Sequence, residues 1–409
     1  MTPAAAATAV ESLLAGDGRE RAGIEIEWPV YDGDDPSGRP HVDDLRAVCE
    51  VPLPAGGRAT VEPGGQLELS TAPAGSIEAA LDAAAGDATV LRSRLAHAGL
   101  TYRESALDSS RIPSRILPHG RYAAMESFFD AGGDAGRWMM CNTASLQVNL
   151  SNHPTRPERR WELANRLGPI LVATFANSPG RDASGHRWES LRQGIWGSID
   201  PARTVAVSCS GSMAESWLRY ALAADVMLLR TQDGRDVAVP PGLSFGSWMA
   251  HGHELGWPTV EDLLYHLTTL FPPVRPRGWL ELRMIDALPW SLLEVGALVT
   301  TTALTVDDAM DELLARLEVA DSLWLDAARY GLAHPLVAEC SRTLFEVIRP
   351  HLAAVARSRT RHDGVLAFED RFVRRAMSPA QLVGCQDLPY RPCPALAVSE
   401  PLLAAGNPA

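Results

Sequence analysis

Apolar and polar residues alternate with a period of two in four short segments, the pattern of strands that bury one face. In Gly23-Ile24-Glu25-Ile26-Glu27-Trp28, Ile24 and Ile26 point one way and Glu25 and Glu27 the other. At the strand rise the two carboxylates stand about 7 Å apart. In Val61-Glu62-Pro63-Gly64-Gly65-Gln66-Leu67-Glu68-Leu69-Ser70, a Pro-Gly-Gly turn follows Glu62, which the proline holds extended. Beyond the turn Gln66, Glu68 and Ser70 share a face, and Leu67 and Leu69 the other. Thr143, Ser145, Gln147 and Asn149 alternate with Ala144, Leu146, Val148 and Leu150. Glu281 and Arg283 alternate with Leu280, Leu282 and Met284, which predicts a strand over 279–285. Helical spacing of Ile77, Leu81, Val90, Leu91 and Leu95 predicts a helix over 76–98. Others are expected at 157–177, 213–223 and 259–270, and the chain beyond about 292 reads as mostly helical. Residues 1–20 read as a tail with a short helix, and 21–409 as a single domain whose end, after Ser378, is irregular. Strands and helices do not follow strict βαβ order, so the expected class is α+β with a mainly antiparallel sheet.

The four polar faces together hold five glutamates, Glu25, Glu27, Glu62, Glu68 and Glu281, against one arginine, Arg283. Singly, each is an amphipathic strand whose polar face could meet water. If the four are neighbours, the carboxylates raise one another's pKa unless positive charge is supplied. Magnesium, a hard cation that takes carboxylate, amide and water oxygens beside substrate phosphates, would supply it. The histidines and cysteines lie elsewhere, which argues against zinc. His251-Gly252-His253-Glu254 has no third ligand at a recognised spacing and reads as a solvated loop.

Composition narrows the chemistry. The 409 residues are 46% hydrophobic and carry a formal charge of −13, which disfavours nonspecific nucleic-acid binding. Every basic residue is arginine; with no lysine there is no Schiff-base enzyme, no P-loop lysine and no kinase-type lysine. Phosphate would have to be handled by arginine, metal and backbone amides. The six cysteines form no CxxC pair, which fits a reduced, cytoplasmic protein. The N-terminus makes a poor signal peptide, and no uncharged apolar run reaches membrane-spanning length. Arg192 and Arg203, in Trp188–Arg203, could hold anions with the planar guanidinium fork or lie on the surface packed against tryptophan; Arg121 and Arg137 share the ambiguity.

The segments GIEIEW, VEPGGQLELS, GRYAAMESFF, MMCNTASLQVNL, ANSP, RWESLRQGIWGSIDPART and YHLTTLFPPVRPRGWLELRMIDALP resemble the glutamate–cysteine ligases of the plant and bacterial type, which are glutamine-synthetase-like carboxylate–amine ligases. The resemblance runs from about 20 to 290, and its wording is closest to the actinobacterial branch that serves ergothioneine biosynthesis. It implies a curved, mostly antiparallel sheet cradling ATP, two or three Mg²⁺ ions and glutamate. On it, Glu25, Glu27, Glu62, Glu68 and Glu281 would ligate metal. Gln147 and Asn149 would lie beside metals and phosphates. Arg283 would face the transferring phosphoryl group, and Arg192 and Arg203 would meet glutamate or nucleotide anions. Ser151 stands where relatives often carry aspartate, so no role is placed there. The implied reaction phosphorylates the γ-carboxylate of glutamate and lets the cysteine amine displace phosphate, with no protein nucleophile. A different amine acceptor, a non-catalytic nucleotide or glutamate sensor and a metal-dependent hydrolase are the alternatives; oligomeric state is not legible.

Overall fold

The computed structural model describes residues 1–390 apart from 232–233 and 255, so Cys393 and the rest of the Pro- and Ala-rich end lie outside the described residues. Its centre is a six-stranded sheet built from β1 (Ala22–Trp28), β2 (Arg58–Val61), β3 (Leu67–Ser70), β4 (Ser145–Ser151), β5 (Val274–Pro276) and β6 (Trp279–Asp286). The spatial order is β5-β6-β4-β1-β3-β2. Every pairing in it is antiparallel. The four segments singled out by their alternation are thus adjacent.

The sheet's apolar face carries Ile24, Ile26, Leu67, Leu69, Leu146, Val148, Leu150, Leu280 and Leu282, all buried. Helices Ile77–His97, Pro157–Thr174 and Trp290–Thr305 pack against this layer. Helix Ile77–His97 starts where Ser76 caps it by accepting from the Ala79 amide, and turns Ile77, Leu81, Ala84, Ala88, Leu91 and Leu95 inward. Leu81 and its like are worth about 1.5–3 kcal/mol each when fully buried.

The expected helices at 157–177 and 259–270 end earlier, at Thr174 and Leu267, whereas Met213–Ala223 matches its expected span. The segment read as a tail is folded onto the domain: Thr2 caps helix Pro3–Leu14, which buries Ala6, Val10 and Leu14. Beyond Trp290 the described chain is helical but for connecting turns and the two residues of Gln386–Asp387.

One departure from strict alternation matters for the site. Leu282 pairs with Val148, but the next paired residue, Ile285, faces Leu146, so Arg283 and Met284 together oppose Gln147 in a β-bulge. The bulge shifts the alternation, and Asp286 pairs with Ser145 instead of entering the apolar layer.

Candidate active site

The sheet's polar face forms the floor of a cavity of about 380 Å³ lined by Glu25, Glu27, Glu62, Glu68, Gln147, Glu281 and Arg283. Register explains the convergence: Glu27 pairs with Glu68, Glu25 lies between Ser70 and Gln147, and Glu281 faces Asn149. Glu62 reaches the cavity from a turn closed by Gly65 N–H donating to the Glu62 carbonyl at 2.9 Å. Both glycines of that turn are required. A Cβ on Gly64 would stand 2.2 Å from the Cys141 carbonyl oxygen, and Gly65 sits at φ +89°. Gln66 secures the turn to the opposite wall, its amide donating to the Thr143 carbonyl at 2.9 Å.

Helices Gly120–Asp130 and Ala135–Asn142, which show no clean apolar stripe in sequence, form that wall with Arg121, Tyr122, Met125, Met139 and Met140. Trp196, Thr268, Phe271, Arg275 and Arg277 complete it. Two further spaces share walls with it. A space of about 260 Å³ shares Glu25 and includes Asn149 and Trp279. Another, of about 510 Å³, shares Glu62, Glu68 and Tyr122 and includes Arg46, Arg58 and His119.

Charge divides the carboxylates into two sets. Burial, then the charges of Glu281 and Glu68, push Glu25 up to about 7. Burial raises Glu27 as well, against the pull of Arg192 and Arg283. Glu62 is driven well above the usual carboxylate range by burial and by Glu68 and Glu27, and Glu68 rises through burial and Glu27. Glu281 goes the other way. Burial would raise it, but Arg275, Arg283 and Arg277 hold it at about 2. Arg275 grips Glu281 with two parallel bonds of 2.8 Å, and Arg283 donates both to Glu281 and, at 2.8 Å, to the Gln147 side-chain oxygen.

Four carboxylates therefore crowd a desolvated wall where nearby arginine charge does not offset burial. Their remaining partners are neutral donors. Glu27 accepts from the Ser145 amide at 2.7 Å and from Gln147, Glu25 from Asn149 at 3.0 Å, and Glu68 from Thr60 and Ser70. An all-oxygen donor set with excess negative charge fits a hard divalent cation. Among the described residues, no three His, Cys, Asp or Glu side chains already stand converged on one point. His251 and His253 are exposed, away from this wall.

Of the residues expected at the site, Glu25, Glu27, Glu62, Glu68, Gln147, Glu281 and Arg283 come together around one cavity, with Asn149 in the adjoining space that shares Glu25. Arg192 and Arg203 do not line it. Arg192 is buried beneath the bulge, donating to the Arg283 carbonyl at 2.8 Å. Arg203 is fully buried and committed to Asp200 at 2.7 Å and to the carbonyls of Thr269 and Asp225. Among the ambiguous arginines, Arg121 faces the cavity, whereas Arg137 pairs with Asp130 near the surface. Arg275 and Arg277 escape sequence reasoning because they flank a proline in a three-residue strand. Their signal was the hairpin, whose register sets Arg275 directly opposite Glu281.

The model of glutamate-cysteine ligase family 2 matches residues 21–370. Glutamate–cysteine ligase EgtA of Mycobacterium tuberculosis is 41% identical over 345 residues, covering 81% of this chain and 79% of that protein. EgtA of Mycolicibacterium smegmatis is 39% identical over 378 residues, 88% and 89% of the two chains. Among solved structures, the glutamate–cysteine ligase of Francisella tularensis in complex with AMP shares the fold, with a TM-score of 0.52 at 14% identity over 90% of this chain and 84% of that one.

Proposed function

The chain belongs to glutamate–cysteine ligase family 2, and we propose that the carboxylate-lined cavity is where it joins the γ-carboxylate of glutamate to the amine of cysteine at the expense of ATP. The observation that supports this site is the charge imbalance on the sheet's polar face. Glu25, Glu27, Glu62 and Glu68 have pKa values raised by burial, three of them also by one another, while Arg275, Arg277 and Arg283 stand beside them. Such a wall receives cation-bound polyphosphate at its acidic part and developing negative charge at its arginines.

A carboxylate has no leaving group, so its condensation with an amine needs prior phosphorylation. Phosphoryl transfer calls for alignment and charge neutralisation more than for covalent participation by the protein. In our reading Glu25, Glu27, Glu62 and Glu68 would hold two or three Mg²⁺ ions, with Glu281, now paired with arginine, as a further oxygen donor, and the bound ions would neutralise phosphate oxygens. Gln147 accepts from the Arg283 guanidinium at 2.8 Å and holds it in the cavity, where it would face the transferring group. Arg121 and Arg277 would offer the anion contacts that Arg192 and Arg203, both buried away from the cavity, do not, while Arg275 stays paired with Glu281. The absence of lysine is consistent with this scheme, since no step requires an amine from the protein. The likeness to the two EgtA ligases supports a place in ergothioneine biosynthesis. The five described cysteines are unbridged, which suits a reducing cytoplasm, and residues 21–409 are read as one catalytic domain.

The test is phosphate release from ATP with Mg²⁺ and glutamate, offering cysteine and a panel of other amines and identifying products by mass. Cysteine-dependent release with γ-glutamylcysteine formed is the expected result. Release with another amine would keep the chemistry and replace the acceptor, and no release with any amine would overturn the reading.

A further inference from the structure

At the bulge in β6 the Arg283 N–H donates to the Pro273 carbonyl at 2.8 Å, and a single buried side chain takes up the carbonyls of both bulged residues. Arg192 donates to the Arg283 carbonyl at 2.8 Å and to the Met284 carbonyl at 3.4 Å. Its charge is met by Asp286, 3.8 Å away and also buried. Asp286 is in turn fixed by the Asn177 amide at 2.8 Å and by the hydroxyls of Ser178 at 2.7 Å and Ser190 at 3.0 Å. Ser190 caps helix Leu191–Gly197, which carries both Arg192 and Trp196. The Trp196 ring lies against both guanidiniums, 5.6 Å from Arg192 and 5.7 Å from Arg283. Arg192 itself does not reach the cavity.

From this arrangement we infer that Arg192, anchored by Asp286, is a positioning residue. It pins the bulge so that Arg283 projects into the cavity beside Gln147 and Glu281, and apart from the pull of its charge on Glu27 it acts on the reaction through Arg283. The inference rests on the ligase reading of the cavity. A planar fork is needed, because two carbonyls on successive residues must be held at once and an ammonium is a point donor.

The experiment is a double-mutant cycle on the full chain, with Arg192→Met, Arg283→Met and the pair, reading kcat and the KM of each substrate. Arg192→Met should lower kcat by about 10–100-fold, the usual cost of losing a group that orients a catalytic one, with each KM nearly unchanged. In the Arg283→Met background the same change should cost no more than about twofold. Effects that multiply fully, or an Arg192→Met variant that raises the KM of one substrate alone, would overturn the inference. Crystal structures of the wild type and of Arg192→Lys supply a readout independent of turnover and of the stability of Arg192→Met. The lysine variant should show Arg283 withdrawn from Gln147 and the register shift altered; an unchanged Arg283 would refute the proposal. A wild type that ligates nothing would defeat the ligase reading, while the structural comparison would still decide whether Arg192 sets the bulge.

Discussion

Replacing Glu25 by glutamine should stabilise the metal-free protein at alkaline pH and change little at acid pH. Glu25 is half-buried and titrates near 7 in the folded chain, against 4.5 for the free side chain. The folded value lies above the unfolded one, so the folded form binds the proton more tightly. Stability is then greatest below about pH 4.5, falls as pH rises toward 7, and stays reduced above that. The gap from 4.5 to about 7, at about 1.4 kcal/mol per pH unit, amounts to about 3 kcal/mol. With an unfolding entropy of about 2.1 cal/mol/K per residue over 409 residues, this corresponds to about 4 °C in Tm. Scanning calorimetry in chelator at about pH 8.5 and about pH 4.5 reads the difference directly. Glu25→Gln should melt higher than the wild type at the alkaline pH and level with it at the acid one. Added Mg²⁺ should raise the wild type more than the variant, because a bound cation relieves the same repulsion. A variant that melts lower at alkaline pH, or by the same margin at both, would refute the charge-crowding argument.

Glu68→Gln should reduce ligation by at least about 100-fold without lowering Tm, since it removes an oxygen donor and also a repelling charge; wild-type turnover would remove Glu68 from the metal set. Arg283→Lys should cost roughly 100-fold in kcat, because one ammonium cannot serve both Gln147 and Glu281 and still face the substrate. Arg203→Met should lower stability by about 2–4 kcal/mol by leaving the buried Thr269 carbonyl and the partly buried Asp225 carbonyl without a donor, while Asp200, partly exposed, still accepts from the Ala202 N–H; KM for glutamate should be unchanged in whatever protein folds. A selective rise in that KM would restore Arg203 as a substrate contact.

The strands that carry the carboxylates were legible because each alternates cleanly over at least four residues, which fixes both the element and its polar face. Their adjacency was not: local periodicity says nothing about which strand pairs with which, and here β1 lies between β3 and β4, the latter more than a hundred residues away in sequence. The arginines were the hard part. Arg192 and Arg203 sit among tryptophans and glycines as anion-binding residues do, yet they are buried and bound to backbone carbonyls. Arg275 and Arg277 carried no periodic signal. Helices Gly120–Asp130 and Ala135–Asn142 were missed because the residues of their cavity side, Arg121, Tyr122, Met139 and Met140, mix charge with bulk and leave no stripe. For the bulge there was a trace, two adjacent apolar residues, Met284 and Ile285, where alternation calls for one.

That extra residue also governs where β6 tolerates a change of length. In a regular strand, losing one residue inverts every side chain beyond it. A deletion at Leu280 or Leu282 would pull the preceding part of the strand out of phase with β4, turning Trp279 or Glu281 toward the apolar layer or forcing a new slip. Removal of Arg283 or Met284 would instead restore plain alternation and leave Ile285 and Asp286 opposite Leu146 and Ser145. The bulge is thus the one point at which this strand can be shortened by a residue while its downstream frame survives. It is also where shortening would remove a carbonyl that Arg192 holds. Backbone tolerance and chemical intolerance coincide there, so a homologue or design that gave up the bulge could keep the fold and still lose the placement of its arginine.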